Sequence, residues 1–180
     1  MFKDFYLQLK KYLQYFVVFQ FYLKRNTAAN NFSSLLKESK DILVIMPDND
    51  VDTNSALEFA DKLIPLGKKI TLLERDKRIS LIQSRRKIPM IEYGIIHFNK
   101  IGLPTRELIL KLKEKKFDVV IDLNTTENLF LSLLANLANA KYKIGFSREK
   151  SEDFYNMILI NNERNPALSY RNLLNSLKMF

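Results

Sequence analysis

Three carboxylates, Asp48, Asp50 and Asp52, fall in the run Asp48-Asn49-Asp50-Val51-Asp52-Thr53-Asn54. Carboxylates this close together suit a general base or a magnesium ligand set, and equally the plain capping of a helix that starts beside them. A second group is cationic. Arg75, Lys77, Arg78, Arg85, Arg86 and Lys87 crowd one segment, opposed only by Glu74 and Asp76. Such a density of guanidinium and ammonium groups can grip phosphate or carboxylate, and a solvated charged face is the plain alternative.

Other chemistries are removed by composition. The 180 residues contain no cysteine, which excludes disulfides, thiolate zinc sites and a cysteine nucleophile, and the single histidine, His97, reads as structural. With four glycines in the chain, neither a dinucleotide-binding loop nor a Walker loop can be built. No metal and no cofactor are expected.

The elements that must position these groups alternate. Asp41–Met46, Lys69–Leu73, Asp118–Leu123, Tyr142–Gly145 and Met157–Ile160 read as strands. Ile91–Tyr93 and Ile95–Phe98 give weaker strand signals. Thr53 or Asn54 can cap a helix with the stripe Leu57, Ala60, Leu63 and Ile64. Further helices are predicted at 78–84, after Pro104, at 127–138 and at 168–178. The alternation predicts an α/β fold, a Rossmann-like doubly wound parallel sheet. Ligands of such sheets bind beyond the carboxyl ends of the strands, so the loops after Met46, Leu73, Leu123 and Gly145 are the places for a site.

Ahead of this domain, residues 1–31 read as an extra N-terminal aromatic helix and a linker at Asn26–Asn31. Phe2, Phe5, Leu9, Leu13, Phe16, Gln20 and Leu23 recur at helical spacing. The apolar run is too short to span a bilayer. Residues 1–25 therefore pack on their own domain, lie on an anionic membrane surface or dock on a partner. A formal charge of +9 favours anionic partners. Nucleic acid is disfavoured because no binding motif or interleaved aromatics accompany the basic segment. No signal-peptide pattern opens the chain, so the expected location is the cytoplasm, with the inner face of the membrane as a peripheral site.

The run Phe117-Asp118-Val119-Val120-Ile121-Asp122-Leu123-Asn124, then a leucine and alanine helix, then Ala140-Lys141-Tyr142-Lys143-Ile144-Gly145-Phe146, resembles the ADP-heptose:lipopolysaccharide heptosyltransferases, glycosyltransferase family 9. Asn165-Pro166-Ala167-Leu168-Ser169-Tyr170-Arg171-Asn172-Leu173-Leu174 resembles the segment that closes the family's N-terminal domain. The resemblance implies that residues 41–180 form a single GT-B-type N-terminal domain, the acceptor-side half of a two-domain enzyme. It gives Asp52 the place of the catalytic base, with Val51 where the family has glycine, and Thr125 likewise replaces a glycine. Acceptor contacts would fall to Asp48, Asp50, Arg75, Lys77, Arg78, Asn124, Thr125 and Asn128, and the acceptor would be a phosphorylated glycan.

Glycosyl transfer needs donor and acceptor held together, so this half alone is expected to be inactive. It would work with a separate donor-binding chain or a homo-oligomer, or act as a binding module in cell-envelope glycan synthesis of the lipopolysaccharide type. The alternative is a non-enzymatic scaffolding or membrane-associated interaction protein.

Overall fold

Short aliphatic runs with branched side chains are buried on both faces only in a parallel sheet covered by helices on each side. The computed structural model describes residues 2–24, 32–33, 35–83 and 87–179, and has that arrangement. Strands β1 (Asp41–Ile45), β2 (Lys69–Arg75), β3 (Met90–Tyr93), β4 (Lys116–Asp122), β5 (Asn139–Phe146) and β6 (Met157–Leu159) form one sheet in the order β3-β2-β1-β4-β5-β6. Every pairing is parallel. Ile42, Val44, Val119 and Ile121 point to one face, Leu43, Ile45 and Val120 to the other, and all are buried.

The first face is covered by α2 (Leu35–Glu38), α3 (Thr53–Leu63), α4 (Asp76–Gln83) and α8 (Pro166–Lys178), with Phe59, Ile82 and Tyr170 in its core. The second carries α5 (Arg106–Lys113), α6 (Leu129–Leu137) and α7 (Ser151–Phe154). From Phe130 to Leu137 every residue of α6 is buried. A helix apolar all round must be covered on its outer side as well. Part of that cover is the π-helical turn Val18–Tyr22, which continues α1 (Phe2–Val17). Val18 sits in the core, and Asn136 of α6 accepts from the Lys24 amide (3.0 Å) and donates to the Lys24 carbonyl (3.0 Å).

One expectation is corrected. Ile95–Phe98 is no strand: Ile95–His97 forms a 3-10 turn, Ile95 and Ile96 face solvent, and His97 Nδ1 closes the turn by accepting from the Gly94 amide (2.9 Å). The N-terminal helix is α-helical only to Val17, and its predicted stripe, Phe5, Leu9, Leu13 and Phe16, is exposed. What α1 lays on the domain is the opposite face, Lys11, Gln14 and Tyr15. The expected linker at Asn26–Asn31 lies outside the described residues.

Candidate functional site at the carboxyl edge of the sheet

Between β1 and β4 the strand order reverses direction, and the loops that leave these strands diverge around a crevice. The Asp48 amide, just past β1, donates to Asn124 Oδ1, just past β4, at 2.8 Å. Asp48 Oδ2 accepts from Asn128 Nδ2 (3.2 Å), and its Oδ1 pairs with Arg75 at the end of β2. Asn128 also caps α6 by accepting from the Leu131 amide (3.1 Å). Arg75 lies over the ring of Tyr93, 5.8 Å from its centroid. Among the described residues the buried Tyr93 hydroxyl has no hydrogen-bond partner, and burial pushes its pKa up to about 12. Asp48, Arg75, Asn124 and Asn128 are thus brought together, and Thr125 is half-buried in the same turn as Asn124.

The other expected site residues divide by burial. Arg78 is buried and spent on the fold: it reaches Glu74 (2.8 and 2.6 Å), the Pro47 carbonyl (2.8 Å), the Asn49 carbonyl (3.1 Å) and Thr53 Oγ1 (2.8 Å). Its guanidinium therefore fixes the acidic loop from beneath. Glu74 is wholly buried; burial raises its carboxyl pKa, and Arg78 pulls the other way. Asp50 is exposed, paired with Lys77 at 3.2 Å and lying 3.4 Å from Arg78, and the Lys77 hydrogen bond lowers its pKa.

Asp52 is 8% exposed at the start of α3. It forms a reciprocal pair with Asn49: Asn49 Nδ2 donates to Asp52 Oδ2 and the Asp52 amide donates to Asn49 Oδ1, both at 2.9 Å. No side-chain cap bond is made by Asp52. Lys87 is exposed, and Arg85 and Arg86 lie outside the described residues. Among the described residues, no group of three or more acidic or histidine side chains is arranged to hold a metal ion.

A second polar cluster lies one strand over, and sequence reasoning did not single it out. Arg148, in the loop after β5, donates to Asp122 Oδ2 (2.5 Å), to the Asn124 and Thr126 carbonyls (2.6 and 2.8 Å) and to Ser132 Oγ (3.3 Å). Tyr155 Oη also donates to Asp122 Oδ2 (2.5 Å), and Asn124 gives Asp122 Oδ1 two more bonds, at 2.9 and 2.6 Å. Burial works against the Arg148 charge, yet Asp122 and Tyr155 hold its pKa above the ordinary value. Burial, with the Asp122 charge beside it, lifts the Tyr155 hydroxyl well up. Tyr155 reaches Asp122 by lying over Gly145, where an added Cβ would stand 2.9 Å from its ring. The available signal was Asp122 itself, a charge closing the aliphatic run Val119–Ile121, followed by Gly145 in the neighbouring strand.

Two solved structures share this architecture. A glycosyl transferase family 9 structure from Veillonella parvula DSM 2008 matches with a TM-score of 0.57 and 24% identity, over 78% of this chain and 42% of that one. E. coli heptosyltransferase WaaC, solved with ADP-2-deoxy-2-fluoro heptose, matches with a TM-score of 0.56 and 20% identity, over 76% of this chain and 47% of that one. The likeness is one of fold, a Rossmann-like α/β domain, and the chain spans less than half the length of either structure. Comparison with curated proteins gives no match. The model of one family covers residues 17–180, and on that match the chain belongs to DUF6913, a family of unknown function.

Proposed function

We propose that the chain is the acceptor-side lobe of a glycosyltransferase-like system, and that by itself it binds a glycan without transferring sugar. The observation that carries this reading is the bonded set Asp48, Asn124, Asn128 and Arg75 around the switch point of the sheet. Carboxylate and amide oxygens accept from sugar hydroxyls, and the half-exposed Arg75 and exposed Lys77 suit phosphate groups on the same glycan. Family 9 heptosyltransferases with this fold make an anionic, phosphorylated envelope glycan of the lipopolysaccharide type the first candidate ligand. The donor sugar nucleotide would be held by a second lobe, in another chain or another copy.

In this reading Asp52 keeps the position that the resemblance assigns to a base, while its carboxylate is engaged by Asn49. Asp52→Asn is therefore expected to leave glycan binding within about twofold, and Asp48→Ala or Arg75→Ala to weaken it about tenfold or more. Calorimetry of the purified chain tests both arms, with a phosphorylated core oligosaccharide in one and ADP-heptose in the other. Tight binding of the sugar nucleotide by this chain alone, or turnover of it, would refute the reading. A scaffolding role is favoured by one different observation, the outward apolar face of α1.

A further inference from the structure

Surface helices normally turn their apolar stripe inward and their charges to water. The helix α1 does the reverse. Its inward contacts are polar: Lys11 pairs with Glu127 (3.0 Å) and Glu149 (3.8 Å), Gln14 donates to the Ile101 carbonyl (2.7 Å), and Tyr15 donates to Glu127. These contacts are close, since a Cβ at Gly102 would meet Gln14 Nε2 at 2.9 Å. The outward face carries Phe5 (66% exposed), Leu9 (55%), Tyr12 (73%), Leu13 (44%) and Phe16 (52%). At 100° per residue these five fall on one side of the helix. Residues 4–9 are all exposed.

Where the helical segment ends, it borders a second feature. A groove of about 580 Å³ runs between the π turn and α5, with Phe21, Ile109 and Leu110 as apolar lining and Lys24, Arg106 and Lys113 as its charges. No carboxylate lines it, and among the described residues none of these three cations has an ion-pair partner. An apolar face rich in aromatic rings, leading to a cationic groove, is the chemistry of an anionic phospholipid surface: rings at the level of the headgroups, cations on their phosphates.

We propose that this protein docks on anionic phospholipid membranes through the outward face of α1, with the Lys24, Arg106 and Lys113 groove taking a lipid phosphate. The docking is peripheral, because no helix among the described residues is long and apolar enough to cross a bilayer. A second copy is the poorer occupant of this face on charge grounds, since each chain carries +9. The proposal stands apart from glycan binding, as it uses none of the switch-point residues.

The test is co-sedimentation of the full chain with vesicles of phosphatidylcholine alone and of phosphatidylcholine with one-third phosphatidylglycerol. Binding is expected to be about tenfold or more tighter to the anionic vesicles and to weaken in about 0.5 M salt. The double substitution Leu9→Gln/Phe16→Gln and the triple substitution Lys24→Glu/Arg106→Glu/Lys113→Glu should each reduce partitioning about tenfold or more, with unchanged circular dichroism. Equal binding to both vesicle types, or none to either, overturns the proposal without needing a variant. So does a dimer in sedimentation velocity that Leu9→Gln/Phe16→Gln dissociates while vesicles are ignored.

Discussion

Arg148→Met removes a guanidinium that holds together the carboxyl ends of β4 and β5. Breaking a buried ion pair from one side costs about 3–5 kcal/mol, because the remaining charge is left uncompensated. Here the remaining charge is Asp122, and it keeps three donors, the Asn124 amide, Asn124 Nδ2 and Tyr155 Oη. These place the charge penalty at the low end, about 3 kcal/mol. Losing the donor to the buried Asn124 carbonyl adds about 1 kcal/mol, while the Thr126 carbonyl is exposed and turns to water. The sum of about 4 kcal/mol corresponds, for a chain of this length, to a melting temperature lower by about 8–16 °C.

Urea unfolding of the wild type, Arg148→Met, Asp122→Asn and the double variant closes a cycle that isolates the pair. The double variant should be about 2 kcal/mol more stable than the sum of the single changes, because the orphaned charge is then gone. A loss below about 1 kcal/mol for Arg148→Met, or simple additivity in the cycle, would show that the cluster is solvated differently from this account. Arg148 also fixes the turn from which Asn124 meets Asp48, so the same variant is expected to weaken glycan binding under conditions where it remains folded.

Burial, with the charge of Lys24 adding to it, pushes Lys143 down to about 8, and its ammonium donates to the Asn136 carbonyl. The unfolded chain keeps that proton to about 10.5, so between pH 8 and 10 the unfolded state binds more protons and stability rises with pH, by up to about 1.4 kcal/mol per unit. Lys143→Met should abolish the rise in urea titrations at pH 7, 8, 9 and 10, and a flat wild-type profile would contradict this. Above pH 10 the raised pKa values of Tyr93, Tyr155 and Tyr170 reverse the trend, because the unfolded tyrosines lose their protons first. Gly145→Ala presses a methyl group against the Tyr155 ring and should cost about 1–3 kcal/mol, read as a lowered melting temperature. Arg78→Lys is expected to lose about 2–3 kcal/mol of stability, since an ammonium cannot serve Glu74, Pro47, Asn49 and Thr53 together; Arg75→Lys should cost under about 1 kcal/mol and act on ligand affinity instead. The reverse order in thermal melts would refute the division of roles between these two arginines.

The sheet was legible in the sequence because a strand buried on both faces announces itself as an aliphatic run: Ile42–Ile45 and Val119–Ile121 need no partner information to be recognised. Edges were less legible. Ile95 and Ile96 look like strand residues by type, yet Gly94 and His97 turn the chain away from the sheet, and propensity carries no term for that turn. The helical period of α1 was visible too, but period alone gives the apolar face and not which way it points. That direction is set by Glu127, Glu149 and the Ile101 carbonyl, more than 80 residues away in the chain. In the same way the density of cations at 75–87 reads as one patch, whereas burial divides Arg78 from Arg75 and Lys77.

Those long-range contacts give the N-terminal segment two unlike parts. Around Val18 it completes the core, because α6 is buried on its outer side as well and Asn136 bonds both the amide and the carbonyl of Lys24. Towards Phe5 it makes no comparable contribution, and a set of exposed aromatic and aliphatic side chains gives the isolated domain no stability. Packing on the domain therefore accounts for Tyr15, Val18 and the Lys24 backbone, and leaves the outward face, Phe5, Leu9, Tyr12, Leu13 and Phe16, exposed. The inward contacts of Lys11, Gln14 and Tyr15 hold that face in a fixed orientation, against the loops that follow β4 and β5. In the proposed docking, a membrane bound by α1 would be held at a defined angle to the carboxyl edge of the sheet, where Arg75 pairs with Asp48. An amphipathic helix joined by a free linker would give no such geometry.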